Sequence, residues 1–164
     1  MGSFESKNIV STSRPLELLH IDLFWSTRTA SLGGKHYGVV VVDDYSRWTW
    51  VIFLDNKDES FKVFSVFYKC IQNEKGFNIA SIKSDHEHGI HHNFSCSRTP
   101  QQNGVVERKN RSLQEMFKTM LMILTPKYFW AEVVNTTYYL QNRIYIRPIL
   151  KKKTPYELWK GRHA

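Results

Sequence analysis

The sequence predicts an α/β domain in which helices flank a mixed sheet. Three short runs with strand character come first, a segment with helical periodicity follows, and then come a further strand and two more helices. The order strand–strand–strand–helix–strand is typical of mixed sheets. Turns can join the first three strands in an antiparallel meander, and the helix brings the fourth strand back to the sheet.

The strands are predicted from runs of β-branched, aromatic and aliphatic residues bounded by turn residues. The first is Glu17–Phe24, and the third is Arg47–Leu54. Between them, Tyr37–Val42 is apolar at almost every position, which predicts a central strand buried on both faces. The fourth strand is predicted at Ile79–Ser84 and a fifth at Ile90–Ser95.

Three helices are predicted from apolar residues at helical spacing. The first has Asp58 and Glu59 in its first turn and stops at Gly76, the second runs from near Val105 to Pro126, and the third covers residues 128–143. The apolar stripe of the first helix consists of Phe61, Phe64, Phe67, Tyr68 and Ile71.

The length of 164 residues fits a single domain, with a polar tail over residues 1–14, a core over 15–147 and a basic C-terminal extension over 148–164. No run approaches the roughly 18 apolar residues of a membrane helix, so no membrane association is expected. The first residues lack the apolar segment of a signal peptide, and two cysteines are too few for a disulfide framework. We therefore expect the protein in the nucleus or the cytoplasm.

The excess of positive over negative charge is confined to the second part of the chain. Residues 1–97 contain 10 Lys and Arg against 11 Asp and Glu, whereas residues 98–164 contain 13 against 4. The second part therefore has a net charge of +9. This asymmetry favours a polyanionic partner such as nucleic acid, although a solvated basic surface is the alternative.

Three carboxylates occupy positions where they could share a metal ion. Asp22 lies in the first predicted strand, Asp85 directly follows the fourth, and Glu107 falls in the first turn of the long helix. Each also has an ordinary explanation. Asp22 could be a satisfied buried residue, Asp85 a loop carboxylate, and Glu107 a complement to the helix dipole.

Three segments around these carboxylates carry a family resemblance. Leu16–Phe24 (LELLHIDLF), Ile82–His86 (IKSDH) and Arg98–Arg111 (RTPQQNGVVERKNR) together resemble the Asp–Asp–Glu integrase cores of copia-type LTR retrotransposons. The likeness extends from about Ser11 to Gly161. It implies a ribonuclease H-like fold, which matches the predicted element order.

The resemblance also implies an activity, its cofactor and its partners. The family performs DNA integration, in which 3′-end processing and strand transfer are metal-dependent phosphoryl transfers. Asp22, Asp85 and Glu107 would be the catalytic residues and the ligands of Mg²⁺ or Mn²⁺, which prefer carboxylate oxygens. The expected partners are DNA, both element ends and target, and a second copy of the chain in a homo-oligomer.

A polar loop and one polar face of the long helix are the predicted DNA contacts. Glu107, Asn110, Arg111, Gln114 and Lys118 recur at helical spacing, so they share one helix face that can reach backbone phosphates. A solvated loop and helix face would have the same composition. The predicted contacts are Gln101, Gln102, Asn103, Arg108, Lys109, Arg111, Gln114 and Lys118.

The chain departs from the family between its second and third carboxylates. Only 21 residues separate Asp85 from Glu107. The family has about 14 more after His86, equivalent to the crossover helix that a parallel connection between strands 4 and 5 needs. We therefore expect a copy that lacks this helix and is catalytically impaired. A non-catalytic DNA-binding remnant and a non-functional relic are the alternatives; the third segment argues against a ribonuclease of RNA–DNA hybrids.

A histidine cluster near Asp85 is a second possible metal site, because imidazole binds Zn²⁺ readily. It consists of His86, His88, His91 and His92. If the segment is a strand, His91 and His92 point to opposite faces, which favours coincidence over a built site.

Overall fold

The computed structural model describes residues 12–84, 126–144 and 152–162, together with positions 111, 115 and 119, and it describes no side chains at 24–26. The elements are β1 (Leu18–Ser26), β2 (Tyr37–Asp43), β3 (Thr49–Leu54), α1 (Ser60–Lys75), β4 (Ser81–Ser84), α2 (Trp130–Ile144) and α3 (Pro155–Lys160). Short 3₁₀ turns, Lys57–Glu59 and Lys127–Phe129, precede α1 and α2.

The described strands form one mixed sheet in the order β3-β2-β1-β4. β2 pairs antiparallel with β1 and with β3, and β4 pairs parallel with β1. The chain passes from β3 through α1 to β4 and so reaches the far edge of the sheet. The predicted meander with a returning fourth strand is confirmed.

β2 is buried on both faces, as its sequence predicts. Val39 and Val41 belong to an apolar cluster on one face, and Val40 and Val42 belong to a second cluster on the other. All four side chains are fully buried. This strand therefore supplies both halves of the core.

β3 begins at Thr49, two residues later than predicted, because a hydrogen-bonded turn occupies the residues before it. The Asp43 carboxylate accepts hydrogen bonds from the Ser46 amide (2.8 Å), the Ser46 hydroxyl (2.6 Å) and the Leu16 amide (2.8 Å). Arg47 has a φ of 60°, which is incompatible with an extended strand. β4 is also shorter than predicted, since Ser81 is its first paired residue.

α1 packs its predicted stripe against the first face of the sheet. Phe64, Tyr68 and Ile71 are buried there, whereas Phe61 is 59% exposed, contrary to the prediction. Gly76 ends the helix with a φ of 68°, a left-handed conformation that favours glycine. The stop predicted at Gly76 is therefore confirmed.

α3 completes the same face from the other end of the chain. A capping box between Thr154 and Glu157 starts this helix. Trp159 is 1% exposed and meets Trp50 edge-on, with ring centroids 4.7 Å apart. Part of the segment predicted as a C-terminal extension is thus packed in the core.

Several predicted elements lie outside the described residues. These are the fifth strand at Ile90–Ser95, the loss of a crossover helix after His86, and most of the long helix after Val105. Arg111, Glu115 and Thr119 are helical, and the Thr119 hydroxyl donates to the Glu115 carbonyl at 2.8 Å. Among the described residues, no helix is long and apolar enough to cross a membrane.

Candidate catalytic and metal-binding site

Asp22 lies in the middle of β1, opposite Val40 of β2. Successive side chains of a strand point to opposite faces. Ile21 and Leu23 contribute to the cluster beneath α1, so Asp22 points to the face that α2 covers. Its side chain is half-buried. A carboxylate at this depth keeps some access to solvent.

Tyr138 of α2 lies within electrostatic reach of Asp22. Burial raises the pKa of Tyr138 well above its ordinary value, and the negative charge of Asp22 raises it further. The Tyr138 side chain is only 3% exposed. The phenol therefore stays protonated at neutral pH, and it can donate a hydrogen bond but carries no charge of its own.

The pairing of β1 with β4 ends, on each strand, at the residue that precedes one of the first two predicted ligands in the sequence. The last paired residues are Ile21 and Ser84, and Asp22 and Asp85 follow them directly. Neighbouring strands lie roughly 4.8 Å apart. Asp85 and Glu107 themselves lie outside the described residues.

β1 changes register immediately beyond Asp22. A β-bulge or similar irregularity lies between Leu23 and Trp25 in the pairing with β2. Bulges are common beside active sites, where they bend a strand and redirect its side chains.

A buried polar network occupies the same face of the sheet, two residues before Asp22. His20 Nε2 donates to Asp44 Oδ1 at 3.0 Å, and Arg47 donates to the same oxygen at 2.8 Å. The Thr12 hydroxyl donates to Asp44 Oδ2 at 3.1 Å. The histidine, the aspartate and the arginine are all at least 96% buried.

Burial by itself would raise the pKa of Asp44, but the hydrogen bond from His20 and the charge of Arg47 reverse this. The pKa of Asp44 therefore lies well below its ordinary value, and the carboxylate is ionised at neutral pH. The network anchors the start of β1 to the turn between β2 and β3. In the sequence, only the mid-strand position of His20 beside Asp22 indicates this network.

Of the predicted DNA contacts, the structure describes Arg111 alone, which is helical and exposed. The others lie outside the described residues: Gln101, Gln102, Asn103, Arg108, Lys109, Gln114 and Lys118. The same holds for His86, His88, His91 and His92. Within the described parts of the chain, no group of three or more potential ligands could hold a metal ion.

The architecture matches solved integrase structures. The HTLV-2 integrase catalytic core domain in complex with magnesium, in its trimeric form, aligns with a TM-score of 0.59 over 88% of this chain and 97% of that one, at 18% identity. A simian T-cell lymphotropic virus intasome in complex with PP2A regulatory subunit B56 gamma aligns with a TM-score of 0.61 over 92% of this chain and 56% of that one, at 17% identity. The chain therefore has the fold of an integrase catalytic core, a ribonuclease H-like fold.

The sequence relatives are retrovirus-related Pol polyproteins. That of transposon TNT 1-94 from Nicotiana tabacum is 36% identical over 164 residues, and that of transposon RE2 from Arabidopsis thaliana is 31% identical over 165. These alignments cover 91% and 93% of this chain but only 12% and 11% of the polyproteins. No protein-family model matches. The chain is thus homologous to one segment of plant retrotransposon Pol polyproteins, which confirms the resemblance carried by its motifs.

Proposed function

We propose that this chain is a copia-type integrase core whose Asp22, Asp85 and Glu107 bind Mg²⁺ or Mn²⁺ for phosphoryl transfer to DNA. One observation supports this above the others. Asp22 is a half-buried carboxylate on an interior strand, one residue beyond the last β1–β4 pair, and Asp85 is the next residue after Ser84. Two carboxylates that follow paired positions of adjacent parallel strands suit a shared hard cation.

The residues near Asp22 fit such an ion in chemical type. Mg²⁺ takes oxygen ligands and keeps several waters, so the half-exposed position of Asp22 suits it. Divalent ions in nucleic-acid transferases stabilise the attacking and leaving oxygens. The Tyr138 phenol beside Asp22 is neutral, so it does not repel a cation.

Metal binding is tested by calorimetry with Mn²⁺ on the full chain and on two variants. Asp22→Asn should abolish the binding that the wild type shows, because an amide is a much weaker ligand. Asp58→Asn removes an exposed carboxylate from the 3₁₀ turn before α1 and should leave the titration unchanged. If Asp22→Asn binds Mn²⁺ like the wild type, Asp22 is not a ligand.

We further propose that this copy is catalytically impaired. Metal-assisted transfer requires its ligands to be placed precisely, and a displacement of about 1 Å can cost roughly 100-fold in rate. The short connection between Asp85 and Glu107 bears directly on two of the three ligands. A strand-transfer assay should find no activity in this chain and activity after a relative's crossover helix is inserted behind His86. Activity in the unrepaired chain that Glu107→Gln abolishes would contradict the proposal.

The same short connection favours a second candidate, a DNA-binding remnant without catalysis. The net charge of +9 over residues 98–164 supports sequence-independent binding to phosphates. Affinity for duplex DNA should then fall steeply with salt, and Arg111→Ala with Lys118→Ala should weaken binding alike for all sequences. DNA binding without Mn²⁺ binding would favour the remnant. Self-association, which the family leads us to propose, is measured by sedimentation.

A further inference from the structure

The C-terminal end of α2 and the start of α3 meet at the β3 edge of the sheet. Asn142 fixes this junction, because its amide donates to the Thr49 carbonyl (2.8 Å) and accepts from the Thr49 amide (3.0 Å). Trp48, next to Thr49, packs on Tyr156 of α3 with ring centroids 6.0 Å apart. Hydrogen bonds and aromatic packing therefore hold in place the backbone that carries the side chains around this junction.

Two arginines are held here by two tyrosines. The Arg143 guanidinium lies 3.7 Å from the ring centroid of Tyr139 and 4.9 Å from that of Tyr156. Arg162 Nε donates to the Tyr156 hydroxyl at 3.3 Å. We call these four residues the arginine–tyrosine cluster. Stacking on aromatic rings fixes the plane of a guanidinium and leaves its N–H edge available for an anion.

Among the residues that the structure describes, no ion pair balances the positive charge of the cluster. Neither arginine takes part in the ion pairs between described residues, which are His20–Asp44, Lys35–Asp55, Arg47–Asp44 and Lys160–Glu74. Lys152 and Lys153, just before α3, are exposed and add to the charge. Two guanidiniums that share one tyrosine repel each other, and an anion bound between them would relieve the repulsion.

We propose that the arginine–tyrosine cluster binds backbone phosphates of duplex DNA, at a place separate from the face that holds Asp22. This inference rests on the proposed DNA binding and adds a second contact to it. β3 lies two strands from β1, roughly 10 Å away in the plane of the sheet. Tyr138 and Tyr139 are consecutive on α2, one beside Asp22 and the other 55% exposed in the cluster. The cluster therefore borders the Asp22 face, where DNA would lie.

A phosphate backbone suits these side chains better than an isolated carboxylate does. Arginine matches phosphate oxygens with two parallel hydrogen bonds, and a duplex offers a repeating series of phosphates to neighbouring arginines. The cluster also falls within residues 98–164, which carry the whole positive excess.

The first test compares two double-alanine variants by the salt dependence of their binding to duplex DNA. Arg143→Ala with Arg162→Ala removes two predicted phosphate contacts, so the slope of log K against log salt should fall in magnitude by about 2. Lys62→Ala with Lys69→Ala makes the same change in net charge at exposed positions of α1, on the face of the sheet opposite Asp22, and should leave the slope nearly unchanged. Equal slopes in both variants would show that the arginine–tyrosine cluster does not bind phosphates, while the proposed DNA binding would still stand. If the wild type binds no DNA, both proposals fail.

A second measurement avoids substitutions that could disturb folding. Phenylglyoxal modifies accessible arginines, and mass spectrometry reports the rate at each one in the unmutated chain. Duplex DNA should slow modification of Arg143 and Arg162 while Arg28, exposed in the loop after β1, reacts at its free rate. Unchanged rates at the two cluster arginines would contradict the inference. Protection by polyglutamate but not by DNA would contradict it too and indicate an acidic protein partner.

Discussion

The two faces of the sheet differ in what they bury. The face beneath α1 is closed by aliphatic and aromatic side chains, including Leu19, Phe64 and Trp159. The face beneath α2 has a smaller apolar cluster and also buries polar residues, including His20, Thr137 and Asn142. Apolar packing is tolerant of chemical detail, whereas each buried polar group requires a partner. The first face mainly provides stability, and the second holds polar groups in defined positions.

Removing an anchor of the apolar face should have the largest effect on stability. Trp159→Ala would leave a cavity among buried residues and should lower the free energy of unfolding by about 4 kcal/mol. Urea denaturation measures the change. Phe61→Ala, at an exposed position of α1, should change it by less than about 0.5 kcal/mol. If Trp159→Ala prevents folding, Trp159→Phe should fold with a smaller loss; a loss as small as that of Phe61→Ala would show that α3 does not contribute to the core.

Breaking the buried ion pairs that Asp44 forms with His20 and Arg47 should have the next largest effect on stability. Asp44→Asn removes the buried ion pair between Asp44 and Arg47 and should cost about 3 kcal/mol at pH 7. Since the folded pKa of Asp44 is lowered, its stabilisation is complete above the unfolded pKa of about 3.9 and is lost as the pH falls through the lower folded value. Urea titrations at pH 7, 5 and 3 should therefore show that the difference in unfolding free energy between the wild type and the variant narrows only at pH 3. A difference in unfolding free energy that stays constant from pH 7 to pH 3 would contradict the lowered pKa of Asp44.

Removing the hydrogen bonds between Asn142 of α2 and Thr49 of β3 should have an intermediate effect on stability. Asn142→Ala removes two hydrogen bonds to the Thr49 backbone in a buried setting and should cost about 2 kcal/mol. Asn135→Ala, on the exposed side of the same helix, serves as the matched control and should change the unfolding free energy little. If both variants unfold at the same urea concentration, the hydrogen bonds between Asn142 and Thr49 do not stabilise the fold.

The smallest effect on stability is expected at Asp22. Asp22→Asn should change the unfolding free energy by no more than about 1 kcal/mol, because the side chain is half-buried and the amide is nearly isosteric. Circular dichroism melts of this variant and of Asp44→Asn compare the two aspartates directly. A loss as large as that of Asp44→Asn would mean that Asp22 is a structural residue rather than a site residue.

The hydrophobic pattern predicted the sheet because strand character is local. The continuous run of Tyr37–Val42 requires no knowledge of its neighbours to be recognised as a central strand. The start of β3 was predicted two residues early, since β propensity at Arg47 is overridden by the turn that Asp43 organises through hydrogen bonds. Tertiary hydrogen bonds of this kind leave no periodic trace in the sequence.

The same distinction applies to the candidate site. Asp22 could be placed on the first strand from its flanking apolar residues. The network of His20 with Asp44 joins positions 24 residues apart, and the arginine–tyrosine cluster joins α2 to α3. Such pairs depend on strand register and helix packing, which one sequence does not specify. The proposed roles of Asp85 and Glu107 stay predictions from the family motifs.

The burial of Trp159 has a consequence for how the domain folds during synthesis. Leu16 and Trp159 belong to the same core cluster, so residues 143 positions apart in the sequence must come together before that core is complete. Contacts between residues so far apart in sequence form slowly, because a long loop must close first. A growing polypeptide can form the β1–β3 meander and pack α1 on it early, but this apolar face stays incompletely covered until α3 has left the ribosome. During that interval, aggregation and chaperone binding compete with completion of the fold.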